Sequence, residues 1–291
     1  MSELALGTVQ WGLPYGIANR TGQPSLEEVR GILQSARDGH CRILDTARAY
    51  GDSERIIGEL TEGDSYWRVV TKLSPDVTDA RSARACVQDS RRRLRLERID
   101  TLLLHDQKHR TTKNGVIWDE LRRMQVEGLI GELGTSSSGQ EESWRALDDG
   151  ESTVIQVAAS LLDQRLIRQG FFDEARKRGK EVFIRSVFLQ GVARMPPERL
   201  PRHLSALREP LTRISAWEQA NHFESGTAYI MYAHSLPAKV VLGTKARWQL
   251  EANLAIWKSG ALSDKQLSEV GSLVPDLDED VLNPARWPAT G

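Results

Sequence analysis

Short runs of apolar, often β-branched residues recur along the chain, each ending near a polar residue and each followed by a longer stretch with helical spacing. They are ELALGTV (3–9), CRILD (41–45), RVVTK (68–72), DTLLLH (100–105), IGELGTS (130–136), TVIQ (153–156), EVFIRS (181–186) and AKVVLG (238–243). Between them, residues 25–38 put Val29, Ile32, Leu33 and Ala36 on one face, with Ser25 as N-cap and Gly39 as stop. Residues 79–95 turn Ala83, Val87 and Leu94 inward and Arg91, Arg92 and Arg95 outward. Further helices are expected at 114–126, 139–149, 164–178, 224–234 and 247–258, with an extra one in 196–221, a segment longer than a β-to-α loop needs. The tail, 274–291, carries Pro275, Pro284 and Pro288 and should be irregular, either docked over a barrel end or frayed. Strands alternating with helices imply a parallel sheet covered on both faces, which explains the nearly continuous apolar runs. Eight repeats favour a closed (β/α)8 TIM barrel, α/β in class, for which roughly 250 residues suffice. No linker-like or low-complexity segment interrupts 1–291, so one domain is expected.

Composition narrows the function classes. At 40% hydrophobic and 27% charged, the chain lies far from the disordered range. Lys plus Arg number 39 against 40 Asp plus Glu, so no global field draws the protein to nucleic acid or an anionic membrane. The Arg91–Arg95 cluster reads as a solvated helix face. Cys41 and Cys86 make neither a zinc site nor a close redox pair and are read as reduced core thiols. The opening MSELALGTVQ lacks a signal-peptide pattern, and no apolar stretch approaches membrane-spanning length. A soluble, cytoplasmic protein without nucleic-acid or membrane partners is expected; its oligomeric state is not encoded legibly.

Barrel active sites lie at the C-terminal ends of the strands, so the polar residues ending these runs are candidates by position. The second, third and fourth runs end in Asp45, Lys72 and His105, and Tyr50 follows in DTARAYGDSE. A tyrosine, with a reference pKa of about 10, exchanges protons near neutrality only if a cation stabilises its phenolate. Lys72 supplies that cation, and Asp45 would keep the ammonium charged in a buried setting. His105 would orient a carbonyl oxygen or share the proton. Such a set is a general acid without a hydride, so a cofactor must bring the reducing equivalent. Each residue also has a structural explanation. Asp45 and Thr46 could cap a helix starting near Asp52, Lys72 could snorkel, Tyr50 could pack in a loop and His105 in the core. Four such coincidences at consecutive strand ends are less economical than one site.

Other signatures are missing. GTVQWG (7–12) lacks the Lys and Ser or Thr of a phosphate loop, and neither GxGxxG nor GxSxG occurs in a fitting context. His105 and His109 are four apart, but the first ends a strand, which argues against a zinc pair, and no metal is expected. The segment VVLGTKARWQLEAN (240–253) runs from the last strand into a helix whose N-terminus, with Gly243, Thr244, Lys245 and Arg247, suits a phosphate. An ordinary turn with exposed basic residues would look the same.

These residues together resemble the aldo-keto reductases. The resemblance runs from LGTVQWG (6–12) to LEAN (250–253), with DTARAYGDSE matching the family's Asp and Tyr signature, VVTK its lysine strand and IDTLLLHD its histidine strand. It implies NAD(P)H-dependent carbonyl reduction, with Tyr50 as general acid, Lys72 and Asp45 tuning it, and His105 positioning the substrate. It further implies that Ser136 and Gln156 hold the nicotinamide carboxamide, with Thr8, Asp45 and Ser137 beside it. Ser186, Phe188, Gln190 and Gly191 would lie along the pyrophosphate. Gly243, Thr244, Lys245, Gln249 and Asn253 would meet the adenosine end. A basic Lys245 there favours NADPH over NADH. The substrate is a small carbonyl compound, and the opening segment points weakly toward a sugar or keto-sugar, with Trp11 and Tyr15 as candidate aromatic rim.

Two positions depart from the family pattern. Ser137 follows Ser136 where many members have Asn, and Arg185 replaces the usual aromatic that stacks on the nicotinamide. A guanidinium plane also stacks, but its charge opposes an oxidised ring. Three alternatives share parts of this pattern. An NAD(P)-dependent aldose or polyol dehydrogenase would use the same four residues and gain at high pH. A non-catalytic NADPH-binding regulatory subunit would not need them intact. A metal-dependent barrel hydrolase would lose activity to a chelator.

Overall fold

The computed structural model describes residues 2–288. Eight parallel strands close into a barrel in sequence order: β1 (Glu3–Gly7), β2 (Ile43–Asp45), β3 (Arg68–Leu73), β4 (Ile99–Leu104), β5 (Ile130–Ser136), β6 (Val154–Ala158), β7 (Glu181–Arg185) and β8 (Lys239–Gly243). Closure is made by β1 on β8, with Gly7 level with both Asp45 and Gly243. The expected TIM barrel is therefore the fold. Strand boundaries shift by a residue or two: β4 stops at Leu104, leaving His105 just past its end, and β6 continues two residues beyond Gln156.

The helices, in order, are α1 (Val9–Gly12), α2 (Leu26–Asp38), α3 (Ser53–Thr61), α4 (Ala80–Leu94), α5 (Val116–Val126), α6 (Gln140–Asp148), α7 (Arg165–Arg168), α8 (Phe171–Lys177), α9 (Arg208–Ala220), α10 (Thr227–His234), α11 (Arg247–Lys258), α12 (Asp264–Ser272) and α13 (Glu279–Leu282). Ser25 caps α2 by accepting from the Glu28 amide at 3.1 Å, and Asp79 with Ser82 forms a reciprocal box on α4. The single helix expected over 164–178 is two, because Gly170 adopts φ 72° and interrupts the spiral. The helix expected from 114 begins at Val116, since Lys113, Asn114 and Gly115 are all left-handed. The start of α10 at Thr227 is set from a distance: the buried Glu218 carboxylate on α9 accepts from the amides of Gly226 and Ala228. The extra helix within 196–221 is α9, preceded by short 3-10 turns.

The tail docks: irregular over 274–278, it then carries α13 and a 3-10 turn at Pro284–Arg286. Val281 and Leu282 of α13 are buried in the main core, and Glu279 approaches Arg165 at 3.9 Å, which docks the segment beside the loops after β5 and β6. Residues 289–291 of the segment, like Met1, lie outside the described residues. Cys41 is buried and Cys86 only partly so; both are free thiols. Of the arginines expected outward on α4, Arg92 pairs with Asp89 at 2.8 Å and Arg95, just past its end, with Glu62.

The barrel interior is layered. Its middle is apolar, built from Ala5, Ile43, Val70, Leu103, Val154, Phe183 and Val241. Two residues earlier on the same strands lies an ionic floor. There Arg68 donates to Glu132 (2.8 Å), Glu181 (2.7 Å) and Thr101 (2.9 Å), and Lys239 pairs with Glu181 at 2.6 Å. Side chains two apart share one face of a strand, so the same alternation dictates what stands two residues later, at the C-terminal mouth.

Candidate active site

Counting forward two residues from the apolar layer reaches Gly7, Asp45, Lys72, His105, Gln156, Arg185 and Gly243, with Ser136 two beyond Gly134 on β5. This upper layer holds three of the four expected catalytic residues. Lys72 is 1% exposed, and its Nζ donates to Asp45 Oδ1 (2.8 Å), Asp45 Oδ2 (2.9 Å) and the Thr46 carbonyl (2.9 Å). Gln156 Nε2 donates to Asp45 Oδ1 at 2.7 Å, adding a second neighbour to the buried carboxylate. Removing either charge would leave the other uncompensated, a cost of about 3–5 kcal/mol.

Tyr50 arrives from the loop between β2 and α3. That loop is stitched to β3 by the amides of Thr46 and Arg48, which donate to the carbonyls of Val70 (2.8 Å) and Lys72 (3.1 Å). Gly12, at the end of α1, lies directly beneath it; a Cβ there would stand 1.8 Å from the Tyr50 carbonyl oxygen. The loop therefore sits at contact distance from α1, and the Tyr50 ring is placed 5.2 Å from Lys72 Nζ and 5.8 Å, edge to face, from the His105 ring. Burial, with the charges of Lys72 and Arg185 adding to it, pushes the His105 imidazole down to about 4, so it is neutral at pH 7. Its Nδ1 is buried without a partner.

The expected cofactor residues stand at or after the C-terminal ends of β5 to β8. Ser136 Oγ lies 3.4 Å from Gln156 Oε1, and Ser137 is fully buried with a hydroxyl that has no partner. Such an orphaned donor fits a carboxamide that would satisfy it. Arg185 donates to the Ser137 carbonyl (2.9 Å) and to Ser186 Oγ (3.1 Å). After it the backbone turns left-handed at Ser186, Leu189, Gln190 and Gly191. Within this segment the Leu189 and Gly191 amides donate to the carbonyls of Ser186 and Phe188, at 2.9 Å each. The end of β8 is open, since a Cβ at Gly243 would meet nothing nearer than 3.8 Å.

At the far end, Lys245 Nζ bonds Asn19 Oδ1 and, at 2.7 Å, Thr21 Oγ1, which ties the β8–α11 loop to the long loop after α1. Gln249 Oε1 accepts from the Lys245 amide at 3.3 Å. Asn253 is buried, and its Oδ1 accepts from Arg194 Nη2 at 2.9 Å while that guanidinium lies 4.0 Å over the Phe188 ring. Arg194, Asn19 and Thr21 were not foreseen; an arginine nine residues past the end of β7 carries no readable signal until the chain folds. Arg247 points away, to Ser35 (3.0 Å) and Glu251 (2.7 Å).

Two expectations change. Trp11 is 1% exposed and donates to the Thr244 carbonyl at 3.1 Å, so it is packing between the β1 and β8 ends rather than an aromatic rim. Tyr15 is 39% exposed and has Tyr50, Arg185 and Gln190 around it. The Thr8 hydroxyl is committed to the Asp45 carbonyl (2.9 Å) and receives Ser53 Oγ (2.8 Å), so it braces β2. No group of three or more potential metal ligands occurs among the described residues, and no helix there is long and apolar enough to cross a membrane.

The model of the Aldo/keto reductase family matches residues 3–275. Among curated proteins, the chain is 30% identical over 137 residues to a methylglyoxal reductase of Escherichia coli, covering 46% of this chain and 49% of that one. It is 28% identical over 125 residues to an aldo-keto reductase of Mycolicibacterium smegmatis, covering 42% and 44%. These matches thus span about half the length of the curated relatives. Among solved structures, an aldo-keto reductase of Bacillus halodurans in its holo form superposes with a TM-score of 0.76 at 20% identity, over 97% of this chain and 95% of that one. A glycerol dehydrogenase of Gluconobacter oxydans gives 0.73 at 20% identity, over 93% and 90%. At that identity the two structures bear on the fold alone.

Proposed function

Because the chain belongs to the aldo/keto reductase family, we propose that it reduces a small aldehyde or ketone to the alcohol with NADPH, taking the proton from Tyr50. The observation that carries this reading is the upper barrel layer itself, where the Tyr50 ring lies 5.2 Å from the Lys72 ammonium, which is in turn fastened to Asp45 at 2.8 Å. A bound nicotinamide cofactor supplies the hydride for the carbonyl carbon.

Tyr50 Oη gives its proton to the carbonyl oxygen as negative charge develops there, and the Lys72 cation steadies the phenolate left behind. Asp45 keeps that cation in place. His105, neutral because burial disfavours its charged form, orients the carbonyl oxygen as a hydrogen-bond donor without competing as an acid. Ser136, Ser137 and Gln156 hold the carboxamide, the left-handed turn at 189–191 takes the pyrophosphate, and Thr244, Gln249 and Asn253 take the adenosine. Lys245 and Arg194, whose side-chain hydrogen bonds among the described residues go to the neutral Asn19, Thr21 and Asn253, supply charge for a 2′-phosphate and so favour NADPH over NADH. The polar side chains of the upper layer and the likeness to a methylglyoxal reductase support a small polar carbonyl substrate, with sugars and keto-sugars among those to screen.

Tyr50→Phe keeps the ring and removes the donor. Its turnover should fall by about 10²–10⁴ while NADPH affinity, read by fluorescence, stays at the wild-type value. Reduction at an undiminished rate in this variant would remove Tyr50 from the acid role.

A further inference from the structure

Arg185 is an inward-facing cation that the proton-transfer chemistry does not use. It belongs to the same upper layer as Asp45, Lys72, His105 and Gln156, two residues above Phe183 in the apolar layer. The charges in that layer do not cancel. Lys72 is offset by Asp45 at 2.8 Å, and His105 is neutral at pH 7, whereas Arg185 has no carboxylate partner among the described residues. It is instead fixed by two neutral acceptors, the Ser137 carbonyl (2.9 Å) and Ser186 Oγ (3.1 Å). These contacts hold the guanidinium beside the residues assigned to the carboxamide without reducing its charge. A full positive charge therefore stands over the part of the mouth where Ser136, Ser137 and Gln156 converge.

We propose that Arg185 makes this site discriminate between the two redox states of its cofactor, binding the reduced nicotinamide and rejecting the oxidised one. The inference rests on the cofactor reading above. An oxidised nicotinamide ring carries a positive charge and a reduced one does not, so a fixed cation in the partly buried mouth opposes only the former. Stacking on the guanidinium plane is available to both forms, which leaves the charge as the difference between them.

The consequence follows from linkage. Weaker binding of the oxidised form raises the reduction potential of the bound couple, by about 30 mV for each tenfold in the ratio of dissociation constants. Hydride donation on the protein becomes slightly less downhill. The gain is in loading and release: NADPH occupies the site in the presence of NADP⁺, and NADP⁺ leaves after turnover. This is an arrangement suited to the reductive direction.

The test is a set of tryptophan-fluorescence titrations of the intact chain with NADPH and with NADP⁺, for wild type, Arg185→Gln, Arg185→Tyr and Arg185→Lys. Wild type should bind NADPH more tightly than NADP⁺. Arg185→Gln and Arg185→Tyr should each lower the ratio of NADP⁺ to NADPH dissociation constants by about tenfold or more, mostly by tightening NADP⁺. Arg185→Lys, which keeps the charge, should stay near wild type; that outcome separates charge from shape. A ratio within twofold of wild type in both neutral variants overturns the proposal, and if the Michaelis constant for a carboxylate-bearing carbonyl rises instead, the charge serves the substrate. Wild type binding neither form overturns the cofactor reading and this inference with it, so the two failures are distinguishable.

Discussion

His105 shows how one residue's surroundings decide its task. An imidazole in water titrates near neutrality; here burial and two cations hold it neutral to about 4. The sign of the stability effect follows. Below the ordinary value of 6.5 the unfolded chain takes up a proton that the folded one refuses, so this residue's contribution is intact above 6.5 and lost as the pH falls toward about 4. Urea midpoints measured across that interval should decline for wild type and decline less for His105→Gln. An unchanged slope in the variant would show that other groups carry the acid sensitivity. Asp45, Lys72, His105 and Tyr50 were legible in the sequence because each ends, or closely follows, a buried run. Trp11 misled because an aromatic after a strand can face the mouth or the packing, and only its bond to Thr244 decides.

At the scale of elements, the placing of Tyr50 depends on α1, a single turn whose Gly12 touches the Tyr50 loop. A Cβ at Gly12 would meet the Tyr50 carbonyl at 1.8 Å and the Ser53 amide at 2.5 Å, both backbone atoms that cannot rotate aside. Gly12→Ala should therefore push the Tyr50 loop away from β1. Misplacing an acid by about 1 Å costs roughly 100-fold in turnover, and overpacking adds about 1–3 kcal/mol of destabilisation. Turnover per folded molecule, compared with NADPH affinity on the same preparation, checks this; equal turnover in the variant would refute the coupling. Such a contact is invisible in sequence, as was the break at Gly170 inside an otherwise continuous helical pattern. Helix α12 was overlooked because its buried face is thin, with Val270 its one buried residue, although Ser263 and Gln266 spell out a capping box.

For the molecule as a whole, the alternation of side chains along eight strands explains both stability and function. One inner layer is ionic, one apolar and one made of the proposed site residues, and a shift of one residue in any strand would turn its side chain in that layer out of the barrel. The class of fold and its strand order were readable from this repeat. The tail was not, because three prolines suggested irregular chain while Val281 and Leu282, too few to show a period, supplied the burial that docks it. The contacts of the two cations join segments far apart in sequence, Arg194 before α9 reaching Asn253 on α11 and Lys245 after β8 reaching Asn19 and Thr21 after α1, and only closure of the barrel brings such segments together. The central claim, an NADPH site across the ends of β5 to β8, is tested most directly by titrating the protein with NADPH and with NADH while following tryptophan fluorescence. Trp11 is bonded to the Thr244 carbonyl, and Trp248, 67% exposed, is on α11 between Lys245 and Gln249 in sequence. The structure predicts tight NADPH binding and at least about tenfold weaker NADH binding, the loss expected when charge-assisted bonds to a 2′-phosphate are absent. Equal affinities would contradict the roles given to Lys245 and Arg194, and binding of neither would contradict the site.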